Sequence, residues 1–393
     1  MSVGVERVVR RPEAGLARRL YVYAFLEDFV LLYPVYAVLF AGAGLSAAQI
    51  SSLFVIWSVT AVVFEVPSGV WADVVSRRRL LMVAPVLCGA GFGLWTVVPA
   101  YWAFAVGFVL WGLGSALRSG TMQALVFEEL ARVGASGSYA GLMGRSEAVA
   151  ALAVMVASVV AAPVLGVAGF GGVGAASVGV CVLGVVAGWS MPETRGPRGE
   201  GEVEPSLGAV VREGWGQVRG SAAVRGALVL SVVVTGAAAM DEYVPLLVVS
   251  MGVAGAGVPL LVGLVTAGDT VGGWLAGRGV RWFGPVVLVS GLCLAAGSVG
   301  GSAWGLVLVA VAFGGLRWAM TAADARLQER IGDGARATVT SLAGLGSEVV
   351  AVLVFAGYGV GSLWAGPGVL FVVASVPFVV VALVVWRGGG STT

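Results

Sequence analysis

Histidine and lysine are absent from this chain, and only 11% of its 393 residues are charged. Soluble domains carry about a quarter charged residues, so there is too little charge here to cover a water-facing surface. Hydrophobic residues make up 59% and the mean hydropathy is +0.97, the composition of an integral membrane protein. Histidine is the side chain that titrates nearest neutral pH; without it, a proton relay has only carboxylates to use. Cysteine is scarce as well. Cys88, Cys181 and Cys293 all fall within apolar runs, too few and too scattered for a disulfide framework or a zinc site. Free thiols are expected, with no metal and no cofactor. No phosphate-binding loop of Walker type and no nucleophile elbow is present. ATP is therefore excluded as a direct energy source, and an enzyme is not expected. Nucleic acid is not an expected partner. The arginine-rich N-terminus lacks a small-residue cleavage site, so no signal peptide is expected.

What is present is a succession of apolar runs. A helical span needs about 20 apolar residues, and twelve runs qualify: 20–42, 47–70, 80–99, 101–126, 139–164, 168–190, 223–250, 257–277, 283–301, 303–324, 337–360 and 364–386. The arginines test this reading. Turns near 43–46, 100, 166–172, 252–257, 300–303 and 361–366 contain none. The alternate connections hold Arg77–Arg79, Arg132, the group from Arg195 to Arg225, Arg278 with Arg281, and Arg326, Arg330 and Arg336. Arginine-rich short loops stay in the cytoplasm, so an even number of spans with both termini cytoplasmic accounts for the pattern. The expected protein is all-α, multi-pass and resident in the cell membrane. Its expected parts are a cytoplasmic segment 1–19, a six-helix bundle 20–190, a polar linker 191–222 with a surface helix from Ser206 to Arg219, a second bundle 223–386 and a tail 387–393.

The two halves answer one another. Glu27-Asp28-Phe29 with Pro34 matches Asp241-Glu242-Tyr243 with Pro245, and Glu65 with Gly69 and Trp71 matches Asp269 with Gly273 and Trp274. Leu117-Arg118 matches Leu316-Arg317, Ser146-Glu147 matches Ser347-Glu348, and Cys88 matches Cys293. A duplicated six-helix unit places its substrate site near the bilayer midplane, at the interface between repeats.

The most distinctive stretch is EVPSGVWADVVSRRRLL, Glu65 to Leu81, a tight acidic-then-basic hairpin. An apolar helix is expected to end at Gly69. Asp73 and Arg77 stand four residues apart, a spacing that brings them onto one face if the turn is helical. Here the chain resembles the major facilitator superfamily, whose signature between helices two and three runs G-x-L-A-D-R-x-G-R-R. Gly69, Trp71, Ala72, Asp73, Arg77 and Arg78 occupy its positions, with departures at Trp71, Val74 and Ser76. The resemblance implies two six-helix bundles, alternating access around a central site, and energy from a proton or substrate gradient. Drug:proton antiporters of this superfamily tend to carry G-x-x-x-G-P-x-x-G-G late in helix five. This chain keeps Pro163 and Gly166 there, with Ser158 and Ala162 at other small positions. It lacks their early arginine in helix four, with Phe108 near that place.

An ionisable residue at bilayer depth costs roughly 2.5–3.5 kcal/mol on insertion scales and marks protein-facing or water-facing positions. Glu27, Asp28, Asp241, Glu242 and Asp269 qualify and are the expected proton- and substrate-binding carboxylates. Their acidic pairs precede prolines, which loosen a helix and open its backbone to water. Phe29, Tyr33 and Tyr243 are expected cavity walls, where aromatic faces hold organic cations. Glu65, Arg118 and Glu147 lie nearer the cytoplasmic ends and are expected, with Gly69, Asp73, Arg77 and Arg78, to build the cytoplasmic gate. Arg317 with Asp324 and Glu348 would be the counterpart, and Glu128 and Glu129 are placed near Arg78 and Arg79. The expected function is proton-coupled export of small amphipathic or cationic organic molecules by a monomer in the bilayer. The alternative within the fold is an uptake symporter for a sugar or organic acid, with Arg118 and Arg317 as anion hooks. A membrane-embedded enzyme or a non-transporting sensor is the reading from another class.

Overall fold

The structure, a computed structural model, describes residues 2–193, 215–216, 218–276, 279, 282–332 and 336–389, and the side chains of these apart from 2–12, 66, 69–70, 72–74, 337 and 387–389. Most of the expected linker, its surface helix, and Arg278 and Arg281 therefore lie outside the described residues. The described chain is helical throughout. Its helices are α1 Ser2–Asp28, α2 Tyr36–Gly42, α3 Ala47–Val74, α4 Arg77–Val97, α5 Tyr101–Arg132, α6 Tyr139–Ser190, α7 Ala222–Ala237, α8 Val244–Ser250, α9 Gly257–Leu275, α10 Phe283–Val299, α11 Gly305–Gln328, α12 Arg336–Gly361 and α13 Pro367–Gly389. Among the described residues nine helical stretches are long and apolar enough to cross a membrane.

One of these joins two expected spans. At about 1.5 Å per residue, a helix of this length far exceeds the roughly 30 Å hydrocarbon core; α6 has 52 residues. It is divided at Gly169, whose backbone (φ 60°, ψ −164°) leaves the helical region. That conformation suits glycine because no Cβ opposes it. The hydrogen-bonded ladder resumes at once, which is why hydropathy alone leaves the boundary indistinct.

Helices one and seven of the sequence reading are each broken at their acidic pair. Helix α1 stops at Asp28, and a turn through Pro34 leads into α2. The freed Leu32 N–H, which would bond the Asp28 carbonyl in an unbroken helix, donates to Ser177 Oγ of α6 at 3.1 Å. In the second half α7 tightens into a 3₁₀ turn, Ala238–Tyr243, carrying Asp241 and Glu242, before α8 starts with Pro245 near its beginning. Backbone irregularity at membrane depth is tolerated where neighbours satisfy it.

Contacts divide the chain into two compact units, Met1–Gln49 with Leu53–Pro197 and Gly255–Leu260, and Ile50–Ser52 with Arg198–Ala254 and Leu261–Thr393. Within the first, α4 packs against α5 and α6. Within the second, α10 packs against α11 and α13 in the same pattern. Each unit thus repeats the helix pairing that the sequence correspondences imply. Small residues let the backbones approach: Gly91 lies over the Gly107 carbonyl in the first unit, and Gly272 over that of Gly314 in the second. The first unit also holds a cluster of packed rings, in which Trp95, Phe40, Phe92, Phe104 and Phe108 are fully buried. Trp95, at 0% exposure, is a core residue, and its indole N–H donates to the Phe104 carbonyl at 3.1 Å.

Candidate functional site

In the first unit the end of α1 delivers Glu27 and Asp28 to the middle of the bundle, and α5 delivers Arg118. Glu27 and Arg118 form an ion pair through Oε1 and Nε, half-buried on both sides. Asp28 is the neighbouring charge on the same helix, and Glu147 of α6 is close enough to act on both acids. The expected inner network therefore changes: Arg118 takes its partner from helix one. Register explains why the alternative looks equally good from sequence. Phe54 stacks edge-on with Phe108 at 5.8 Å, and Trp57 lies parallel to Trp111 at 5.1 Å, so α3 and α5 run in parallel with constant spacing. That register brings Phe64 and Glu65 level with Arg118, but the Glu65 side chain is exposed.

A cavity of ≈ 40 Å³ adjoins the pair, lined among others by Tyr23, Tyr33, Cys88, Trp111, Ser115 and Cys181. Drug-sized ligands need roughly 300–1,000 Å³, whereas a water needs only about 10–15 Å³ by this kind of measure. The space suits water beside an ion pair and excludes an organic substrate. Tyr33 is one wall of it, stacked on Trp111 at 5.2 Å, while Phe29 stacks on Phe25 at 5.1 Å. The Trp57 indole N–H is buried with no hydrogen-bond partner among the described residues.

The second unit has a different pair. Arg317 Nε donates to both carboxylate oxygens of Asp269, at 2.9 and 2.8 Å. Asp324 and Glu348 had been expected beside this arginine; its described ion pair is with α9 instead. Gly268 opposes Ala310 and Gly272 opposes Gly314, which brings Arg317 level with Leu275. The guanidinium therefore reaches back about 9 Å, six residues of helix rise, its stem passing beside Gly273. Asp241 lies near enough for Asp269 and Arg317 both to act on it. Tyr243, fully buried, stacks on Tyr358 with ring centroids 3.6 Å apart, and the Tyr358 hydroxyl is buried with no hydrogen-bond partner among the described residues.

At the hairpin, α3 continues past Gly69 to Val74 and the turn is reduced to Val75 and Ser76. Val75 is extended (φ −96°, ψ 154°), which ends the helix, and Ser76 caps α4 by accepting the Arg79 N–H at 3.3 Å. Asp73 and Arg77 thus belong to different helices, so the four-residue helical spacing that would set them on one face does not apply. Arg77 instead lies 2.5 Å from Glu128 at the far end of α5. Its backbone N–H donates to Glu193 Oε1 at 2.6 Å, and the Ser76 hydroxyl donates to the other oxygen of that carboxylate. Glu129 pairs with Arg132 at 2.9 Å, and Arg78 is exposed. The Asp73 side chain lies outside those described.

A model of the Major Facilitator Superfamily matches residues 21–356. The chain belongs to that superfamily. Solved structures agree over almost the whole transporter. The nucleoside transporter NupG shares 10% identity, with 96% of this chain and 98% of that one covered and a TM-score of 0.73. PepTSo, a POT family transporter, shares 13% over 96% and 98% with a TM-score of 0.71. A bacterial homolog of the human lysosomal transporter Spinster, inward-facing and unoccupied, shares 14% over 96% and 98% with a TM-score of 0.68. At these identities the likeness carries the fold alone. No curated protein sequence matches. Membership makes this multi-pass membrane protein a transporter of small molecules and not an enzyme.

Two residues of the transporter escaped the sequence reading. Glu193 was assigned to a linker, yet it follows a buried Met191 and is fixed on the N-terminus of α4. A carboxylate just past an apolar span, with an N-terminal serine cap elsewhere in the same bundle, is the signal that could have found it. Ser177 was passed over as one small residue among many; it repairs the break in helix one.

Proposed function

We propose that the protein is a proton-coupled exporter of small amphipathic or cationic organic molecules. It has twelve spans in two six-helix bundles, with linker and termini in the cytoplasm of a plasma-membrane protein, and works as a monomer by alternating access. The observation that carries this reading is that both acidic pairs occupy helix breaks, Glu27-Asp28 at the end of α1 and Asp241-Glu242 in the 3₁₀ turn. A carboxylate at such a break is reachable by water, and with no histidine in the chain it is the group left to carry a proton. Asp269 serves as a further acid. Phe29, Tyr33 and Tyr243 are the aromatic residues beside these acids; holding an organic cation on a ring face requires Tyr33 to part from Trp111 or Tyr243 from Tyr358, on which they are stacked here.

A cationic rather than anionic substrate is favoured because both embedded arginines already have carboxylate partners, Glu27 and Asp269. That weighs against the uptake symporter with Arg118 and Arg317 as anion hooks. Pro163 within α6 keeps part of the glycine-proline pattern of drug:proton antiporters and supports the export direction. Glu65, Gly69, Asp73, Arg77, Arg78, Arg118, Glu147, Arg317 and Glu348 form the cytoplasmic gate in this reading. The Arg77–Glu128 contact and the Glu193 clamp supply its fixed part.

The test is transport by purified protein in liposomes under an imposed pH difference, with a panel of cationic dyes and an organic acid as probes. Accumulation of a cationic dye that collapses with the pH difference supports the reading. Accumulation of the acid and of no cation contradicts it.

A further inference from the structure

The two halves present equivalent arginines with non-equivalent partners. Arg118 is held by the helix-one acid Glu27, whose counterpart in the second half is Asp241. Arg317 is held by Asp269, and Asp241 has no ion pair among the described residues. Yet the 3₁₀ turn that carries Asp241 packs against α11, the helix of Arg317. Among the described residues the charges that act on Asp241 are Asp269 from α9 and Arg317 from α11, with Glu242 beside it in the turn and Glu348 carried by α12, which also packs on that turn. A long guanidinium that already reaches back two turns to one carboxylate has the other as its nearest alternative.

We propose that Arg317 is a two-position latch that exchanges Asp269 for Asp241. In the arrangement seen here it sits on Asp269 and leaves Asp241 open to a proton or to the positive end of a substrate. In the other it moves onto Asp241, reproducing the Arg118–Glu27 arrangement of the first half, and expels whatever that carboxylate held. Asp269 is then a positioning residue, since it governs Asp241 through the arginine. The latch rests on the reading above that acids at the helix breaks carry the coupled charge, but its test does not measure transport.

A hydrophobic carbodiimide adds to a protonated carboxyl in an apolar setting, and the adduct is mapped by mass spectrometry on the full-length protein in lipid nanodiscs. Asp241 of the parent protein should be labelled. In Asp269→Asn, Arg317 loses its partner and moves to Asp241, and labelling there should fall by about tenfold or more, because a contacting cation holds a carboxylate ionised. Asp269→Asn with Arg317→Gln should restore it, and Asp269→Glu should leave it near the parent level. Misfolding that lets in water would lower labelling at Asp241 and Glu242 together and would not be reversed by Arg317→Gln, whereas the latch lowers it at Asp241 alone and reversibly. Unchanged or increased labelling in Asp269→Asn overturns the latch, as does a parent protein unlabelled at Asp241. If gradient-driven transport survives joint neutralisation of Asp28 and Asp241, the functional reading fails whatever the labelling result.

Discussion

The Arg77 guanidinium stands 2.5 Å from the Glu128 carboxylate, joining the start of α4 to the end of α5. Arg77 is mostly enclosed whereas Glu128 is 56% exposed, so the pair is worth under about 1 kcal/mol of stability. In the gate reading proposed above, its role is to orient the hairpin. Glu128→Gln should leave thermal stability within a few tenths of a kcal/mol and lower transport severalfold. Asp73→Asn should likewise insert at normal abundance and transport poorly. Uptake rates normalised to membrane abundance decide this, and wild-type rates in both variants would reduce the hairpin to a topology marker.

The Glu193 clamp should matter more to stability. It satisfies the Arg77 N–H and the Ser76 hydroxyl at a helix N-terminus, where loss of a cap costs about 1 kcal/mol. Glu193→Ala should therefore lower the melting temperature of detergent-purified protein by a few degrees, with Glu193→Asp intermediate. No change would mean that water replaces the carboxylate at no cost.

Breaking the Glu27–Arg118 pair should be asymmetric. Arg118→Ala leaves a charge near Asp28 and Glu147 with no cation, whereas Glu27→Gln leaves an arginine that still has acids nearby. Removing one member of a buried pair costs about 3–5 kcal/mol, and the partial exposure of this one reduces that to about 2. Thermal unfolding should rank Arg118→Ala well below Glu27→Gln. The reverse order would assign the stabilising role to the carboxylate.

Topology is checked by labelling single cysteines with a membrane-impermeant maleimide, in a background with Cys88, Cys181 and Cys293 replaced. Ser76→Cys and Gly199→Cys should react only from the cytoplasmic face, and Gly255→Cys only from outside. Reaction of the last two from one face ends the twelve-span arrangement.

The fold was largely legible in the sequence because lipid imposes one rule on every span: its backbone must bond to itself. Runs of about 20 apolar residues follow from that rule, and so do the breaks at Pro34 and Pro245. The partners of the charged residues were not legible. Sequence spacing joins Asp73 to Arg77, but one extended residue, Val75, puts them on separate helices. Arg118 has carboxylates from three helices nearby, and choosing Glu27 depends on how α1 tilts against α5. Asp269 and Glu65 correspond in sequence, yet Arg317 lies level with Leu275 while Arg118 lies level with Phe64. The duplicated halves have slipped by about two turns at this helix pair, which no motif records.

The central claim is that acids at the two helix breaks carry the proton that drives transport. It is tested most directly by reconstituting Asp28→Asn with Asp241→Asn and measuring two rates in the same liposomes. One is accumulation of a transported cationic dye under a pH difference; the other is exchange of that dye at equal concentration on both sides. Exchange requires no net proton movement, so the account predicts that accumulation is abolished while exchange persists. A double variant that still concentrates the dye against its gradient contradicts the claim and moves the proton site elsewhere, to Asp269 first.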